Sequence, residues 1–232
     1  MERHQFTLLH DIEDSWWYRG RAAVIAGILQ RLPRAARALD FGAGFGGMFS
    51  TLSRFSARVD AFEPDPLAST GLRRRGYTQA YPTTEAALAE HYDLIGLFDV
   101  IEHIERDVDF LTQLKNSLTG QGSLVLTVPA YPWLWGPLDV ASHHFRRYTK
   151  SSLRKAVEAA GYQVEFVSYW NFFLFPAAAT IRLLGSVGEA GLGLPGPLNA
   201  LFLGLVRLEA FLMRLFPLPF GLSLIMLASP KR

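Results

Sequence analysis

Glycines and carboxylates fall in a pattern suited to gripping a nucleoside. In Asp40-Phe41-Gly42-Ala43-Gly44-Phe45-Gly46, three glycines follow a short apolar run. A glycine-rich turn after a strand lets backbone approach a nucleotide-like ligand closely, because no Cβ intervenes. Such a ligand next needs an acidic acceptor for its ribose hydroxyls at the end of the second strand, about 20 residues on. Glu63, in Phe62-Glu63-Pro64-Asp65, stands there. Asp40 offers a carboxylate to an amino group of the ligand or to the loop backbone. Gly42, Gly44 and Gly47 also satisfy G-x-G-x-x-G, so a nicotinamide-dependent Rossmann oxidoreductase competes on the loop alone. Against it, a dinucleotide fold needs a second mononucleotide-binding half, and the chain spends that length on apolar helices.

Two later segments carry side chains able to move protons or hold an acceptor. Asp99, Glu102 and His103 are spaced i, i+3, i+4 and converge on one face if a helix starts there. They are candidates for a hard-metal site, but Asp99 and Glu102 also fit a capping box, and that reading outweighs the metal one. No metal is therefore expected. The candidate bases are His103, His143 and His144, with His143 and His103 preferred, since an imidazole titrates near neutral pH. Arg146 and Arg147 can hold a phosphate or carboxylate of an acceptor. Tyr131 and Trp133 are expected to wall its site, and Trp16, Trp17, Tyr18 and Arg19 to form a lid, an interfacial anchor or part of the core.

The elements that must position these residues read as an α/β chain. Val24, Ile25, Ile28, Leu29 and Leu32 recur at helical steps before Pro33. Strands are expected at 38–41, 58–62, 77–80, 92–98, 123–129, 163–169 and 221–228, and helices at 48–55, 66–75 and 151–161. A further helix carries Val108, Leu111, Leu114 and Leu118 and ends at Gly120 to Gly122. Alternating strands and helices imply a doubly wound, mostly parallel seven-stranded sheet in a single domain, 1–232. Residues 171–218 interrupt it as an apolar insertion of two helical segments, 172–184 and 198–216, joined by a Gly/Pro-rich turn. In the second segment Arg207 and Arg214 share a face, and Leu201, Leu205, Leu208, Leu212 and Leu215 form the opposite stripe.

The chain resembles the class I S-adenosylmethionine-dependent methyltransferases, in their small-molecule, type 11/12-like branch, whose fold is Rossmann-like. Asp40 to Gly46 is similar to the first motif of that family, Phe62 to Asp65 to the second, and Phe98-Asp99-Val100-Ile101-Glu102-His103-Ile104 to the segment after its fourth strand. Asp or Glu-x-x-Glu-His segments of that kind bind a divalent ion in the ubiquinone-pathway O-methyltransferases. The resemblance implies S-adenosylmethionine as cofactor, with Gly42, Gly44 and Gly46 along its methionine part, Glu63 and Pro64 at the ribose, Phe98 and Asp99 beside the sulfonium and Thr83, Thr84 and Glu85 near the adenine. It also implies methyl transfer, O-methylation above all, to a small-molecule or lipid-linked acceptor.

Composition narrows the partners. The 232 residues are 50% hydrophobic and 19% charged, with a net charge of +2, so no basic field for nucleic acid is present. The absence of cysteine excludes a thiolate nucleophile or metal ligand. No apolar leader stands at the start and no apolar run is long enough to span a bilayer, so the expectation is a cytoplasmic protein. Segment 172–216 has more apolar surface than a helical hairpin needs, which suggests peripheral contact with the inner face of the membrane, or a homodimer. A non-catalytic, membrane-associated cofactor-binding protein is the alternative from another class.

Overall fold

The computed structural model describes residues 15–183 and 195–231. Along the chain, helix α1 (Trp16–Leu29) precedes β1 (Ala35–Phe41), then α2 (Phe49–Phe55) leads to β2 (Ser56–Phe62). Two short helices, α3 (Pro66–Ser69) and α4 (Leu72–Arg75), come before β3 (Ala80–Tyr81), and α5 (Thr84–Leu88) before β4 (Tyr92–Phe98). A 3-10 turn (Ile101–His103) and α6 (Asp107–Lys115) precede β5 (Leu118–Pro129). Then come α7 (Pro137–Ala141), α8 (Lys150–Ala159), β6 (Tyr162–Trp170), α9 (Phe175–Leu183), α10 (Gly196–Leu212) and β7 (Ser223–Pro230).

The seven strands form one sheet in the order β3-β2-β1-β4-β5-β7-β6. Strands β1 to β5 pair in parallel, and β7 enters antiparallel between β5 and β6. This is the mostly parallel doubly wound sheet that the alternating pattern implies. The antiparallel β7 departs from the all-parallel order of a dinucleotide fold, so the nicotinamide alternative has no support from the topology.

Neighbouring residues of a strand bury on opposite faces, because the side-chain period is two. Ala38 packs with Val24, Ile28 and Val206 of α1 and α10, while Leu39 packs with Leu111 and Leu153 of α6 and α8. The core therefore lies in two layers on either side of the sheet. Helix α1 lies along α10, with Trp16 edge-on to Phe202 and Trp17 stacked on Trp170.

Several expectations needed correction. The helix expected over 66–75 is two, α3 and α4, because Asp65 caps the first and the chain turns at Thr70 and Gly71 before resuming. Leu118 belongs to β5 rather than to the preceding helix, since it pairs with Tyr92, and Gly120 and Gly122 lie inside that strand. The third strand is two residues, Ala80–Tyr81, rather than 77–80. Helix α10 buries Leu203, Val206, Glu209 and Ala210, and of the leucine stripe Leu201 and Leu208, with Leu215 just past the helix end, are exposed. Leu184 and most of the Gly/Pro-rich turn lie outside the described residues.

Candidate active site

The carboxyl ends of β1, β2, β4 and β5, with α1 across them, enclose a cavity of about 820 Å³, large enough for a nucleoside-sized ligand beside a small acceptor. Its first wall is the loop after β1. Gly42 sits at φ 77°, and a Cβ there would stand 2.7 Å from Cγ2 of Val100, so both backbone shape and space require glycine. The backbone N–H of Gly44 donates to Oε2 of Glu63 at 2.7 Å, and that of Asp65 donates to Oε1 at 2.9 Å. Glu63 thereby ties the loop to the end of β2, and it lines the cavity. Burial raises its carboxyl above the ordinary range.

Asp40 is fully buried at the end of β1 and accepts from the hydroxyl of Tyr77. Burial pushes its carboxyl up to about 6, against the lowering effect of that hydrogen bond and of Arg21. Pro64 and Phe98 also line the cavity, as does Thr84, whereas Thr83 caps α5 by accepting from the N–H of Ala86. Gly46 turns the loop at φ 85°.

Asp99 does not cap a helix. It sits at φ 60°, its Oδ2 takes Nη1 of Arg21 at 2.6 Å, and its Oδ1 accepts from Oγ1 of Thr127 at 3.1 Å. The capping box expected over 99–102 does not form, because this ion pair turns Asp99 toward α1. Trp17, Tyr18 and Arg21 line the cavity from that helix. Arg21 escaped the sequence reading because a cation on an aromatic helix carries no sign of the carboxylate it will meet.

The histidines separate. His143 is exposed at φ 55° and lies outside the cavity lining, whereas His144 and His103 line it. Nδ1 of His144 is 2.9 Å from Oδ1 of the fully buried Asp139, which also accepts from Nε of Arg147 at 2.7 Å and from the N–H of Gly136 at 2.9 Å. These bonds hold the Asp139 carboxyl down at about 2, against the upward push of burial. The rings of His103 and His144 meet edge to face, with centroids 4.6 Å apart. Burial, then the neighbouring His144, lowers His103 to about 4, so its imidazole is neutral at pH 7. The N–H of Phe145 donates to the Glu102 carbonyl at 2.7 Å, which seats the histidine loop against the end of β4.

The expected acceptor residues are distributed differently. Arg147 lines the cavity but is committed to Asp139 and to the Ala130 carbonyl. Arg146 turns away to Asp107 and the Glu105 carbonyl. Tyr131 stacks on Tyr169 and Trp133 packs edge-on to Phe175, so both join an aromatic group beside α9 and outside the cavity lining.

A family model described as a methyltransferase domain matches residues 16–166. The chain belongs to that family and is a class I S-adenosylmethionine-dependent methyltransferase. The fold of the methyltransferase is shared with solved structures at low identity. A chain of the Haloferax volcanii complex between a methyltransferase activator and a putative methyltransferase aligns at 14% identity and TM-score 0.64, covering 99% of this chain and 95% of that one. The plantazolicin methyltransferase solved with its bound SAH aligns at 12% and 0.63, covering 99% and 90%. The N-methyltransferase NodS from Bradyrhizobium japonicum, solved with S-adenosyl-L-homocysteine, aligns at 12% and 0.59, covering 93% and 88%. No curated protein sequence matches the methyltransferase. Its cofactor is S-adenosylmethionine, and the site fits that group: a Cβ-free loop, a buried Glu63 anchored by two backbone N–H groups, and Asp40 at the foot of the loop.

Proposed function

We propose that this methyltransferase transfers its methyl group to an oxygen atom of a small-molecule or lipid-linked acceptor, and that it works against a membrane surface. The observation that carries the reading is that the nucleoside grip and the group Glu102, His103 and His144 line one cavity. S-adenosylmethionine, when bound, supplies a methyl group made electrophilic by a positively charged sulfur. Glu63 would hold the ribose through the lone pairs its backbone donors leave open, and the Asp40 carboxylate would hold the amino group of the methionine part. Trp17, Tyr18 and Phe98 exclude water, and the ion pair with Arg21 fixes the Asp99 carboxylate. Positioning of this kind supplies much of the acceleration in a displacement reaction.

A hydroxyl must lose its proton as it is methylated. The carboxylate and histidine group at the cavity wall is where that proton is handled, with His144 oriented by Asp139. The lipid-linked and membrane part of the reading rests on the outer face of α10, where Leu201, Leu208, Phe211 and Leu215 are exposed. Between residues 195 and 220 the exposed charges are Arg207 and Arg214, because Glu209 is buried. An apolar face flanked by arginines suits an anionic lipid interface. Helix α10 packs on α1, which lines the cavity, so the apolar face and the reaction site share one pair of helices.

The test is to supply methyl-labelled S-adenosylmethionine with the membrane and aqueous fractions of a cell extract. Label is expected in solvent-extractable material, as a methyl ether or ester. Label on nitrogen, or confined to water-soluble products that never partition with lipid, would overturn the acceptor assignment or its lipid part respectively.

A further inference from the structure

Glu102 is fully buried at the cavity wall, and neither of its carboxyl oxygens receives a hydrogen bond from another described residue. Burying an unpaired carboxylate is costly unless a positive group meets it. Neither nearby cation reaches it with a hydrogen bond, and each is paired elsewhere, Arg21 with Asp99 and Arg147 with Asp139. One ligand atom each from Glu102, His103 and His144 can be chosen so that all lie within 4.8 Å of one another.

The histidines are prepared to give lone pairs. Asp139 occupies Nδ1 of His144, which fixes the tautomer and leaves Nε2 as the donor atom, the arrangement by which an outer carboxylate orients a metal-binding imidazole. His103 lines the same cavity, its ring edge to face with that of His144. Two imidazole nitrogens and one carboxylate oxygen suit a borderline divalent ion, whereas magnesium and calcium favour all-oxygen sets.

We propose that Glu102, His103 and His144 bind a divalent transition-metal ion of the zinc class, with a further coordination position open to the cavity for the acceptor hydroxyl. Asp99, a sequence candidate for this site, is held away by Arg21. The inference rests on the reading that the acceptor is an oxygen nucleophile, and it assigns the proton step. The hydroxyl oxygen coordinates the ion, its O–H bond breaks, the electron pair stays on oxygen and the proton passes to water. A bound ion lowers the pKa of a coordinated O–H by several units.

The untagged full chain, stripped with chelator and desalted, is titrated with Zn²⁺ by calorimetry and with Co²⁺ by visible absorption. A single saturable site per chain is expected, with Glu102→Gln and His144→Ala each weakening it by at least about tenfold. His143→Ala, an exposed neighbour outside the cavity, should leave ion affinity unchanged. S-adenosylhomocysteine affinity and circular dichroism check that each variant folds, and if Glu102→Gln does not, the half-buried His144→Ala decides. Absence of a saturable site, or undiminished binding by folded His144→Ala, overturns the proposal. Label transfer to oxygen by a chain that binds no ion overturns this inference and leaves the function above standing. Ion binding with label on nitrogen keeps the ion site but overturns both its role toward a hydroxyl and the oxygen acceptor proposed above.

Discussion

Asp40 and Asp139 are both buried carboxylates, yet their surroundings drive them in opposite directions. Asp40 has the hydroxyl of Tyr77 and a more distant Arg21, which do not offset desolvation, and it titrates at about 6. If it faces the donor's amino group, affinity for S-adenosylhomocysteine should rise with pH through about 6, because the ammonium is held by the ionised form. Calorimetry across that range should show the slope, and Asp40→Asn should flatten it. Asp139 has His144, Arg147 and Gly136, and stays ionised down to about 2. Its folded pKa lies below the unfolded value near 3.9, so the stability it contributes is present above about pH 4 and disappears as pH falls toward about 2. Asp139→Asn should cost roughly 3 kcal/mol at neutral pH, since it leaves a buried Arg147 without its partner. Urea unfolding at pH 7 and in acid would show that deficit shrinking as the pH drops. The sequence marks Glu63 and Asp40 because they stand at fixed offsets from the glycine loop. It does not mark Asp139, whose partners at 136, 144 and 147 converge only when the loop after β5 folds. For the same reason it cannot choose between adjacent histidines. The positive φ of His143 turns it outward and leaves His144 to the cavity.

At the scale of elements, α1 and α10 approach so closely that a Cβ on Gly20 would stand 2.8 Å from Cγ1 of Val206. Alanine in a helix interior gains about 1 kcal/mol in propensity over glycine, but overpacking against a buried branched side chain costs about 1 to 3 kcal/mol. Gly20→Ala should therefore lower Tm, and adding Val206→Ala should recover part of the loss, as a thermal melt of the double variant would show. The strands β1, β4 and β5 were legible as apolar runs ending at glycine, aspartate or proline, because a strand buried on both faces leaves that mark. Helix α10 was legible as a helix but not in its orientation. It is apolar nearly all round, so its leucine stripe identifies a face without saying which way that face points.

Across the whole molecule, the exposed leucines and Phe211 of α10 are joined in exposure by Phe173 and Phe220, and Phe172 and Phe175 pack on Phe220. Flotation should carry the chain with anionic vesicles and less with neutral ones, and Leu208→Glu with Phe211→Glu should reduce this while leaving Tm nearly unchanged, since both side chains are exposed. Failure to float, together with dimeric sedimentation that the same pair of changes abolishes, would give the face to a second copy instead. No helix among the described residues is long and apolar enough to cross a membrane.

The antiparallel entry of β7 sets a schedule for the chain's synthesis. Among the described strands β6 pairs with β7, apart from one bridge between Tyr169 and Leu218, and Leu222 and Ser223 line the cavity. A nascent chain that has already exposed the glycine loop, Glu63 and both cavity histidines still has an open edge on β5 and an unpaired β6 until residues 223–230 leave the ribosome. For that interval the open edge of β5 and the unpaired β6 present backbone donors and acceptors to other chains, while α10 already has α1 to pack on, so the sheet edge is the part of the growing polypeptide most exposed to mispairing.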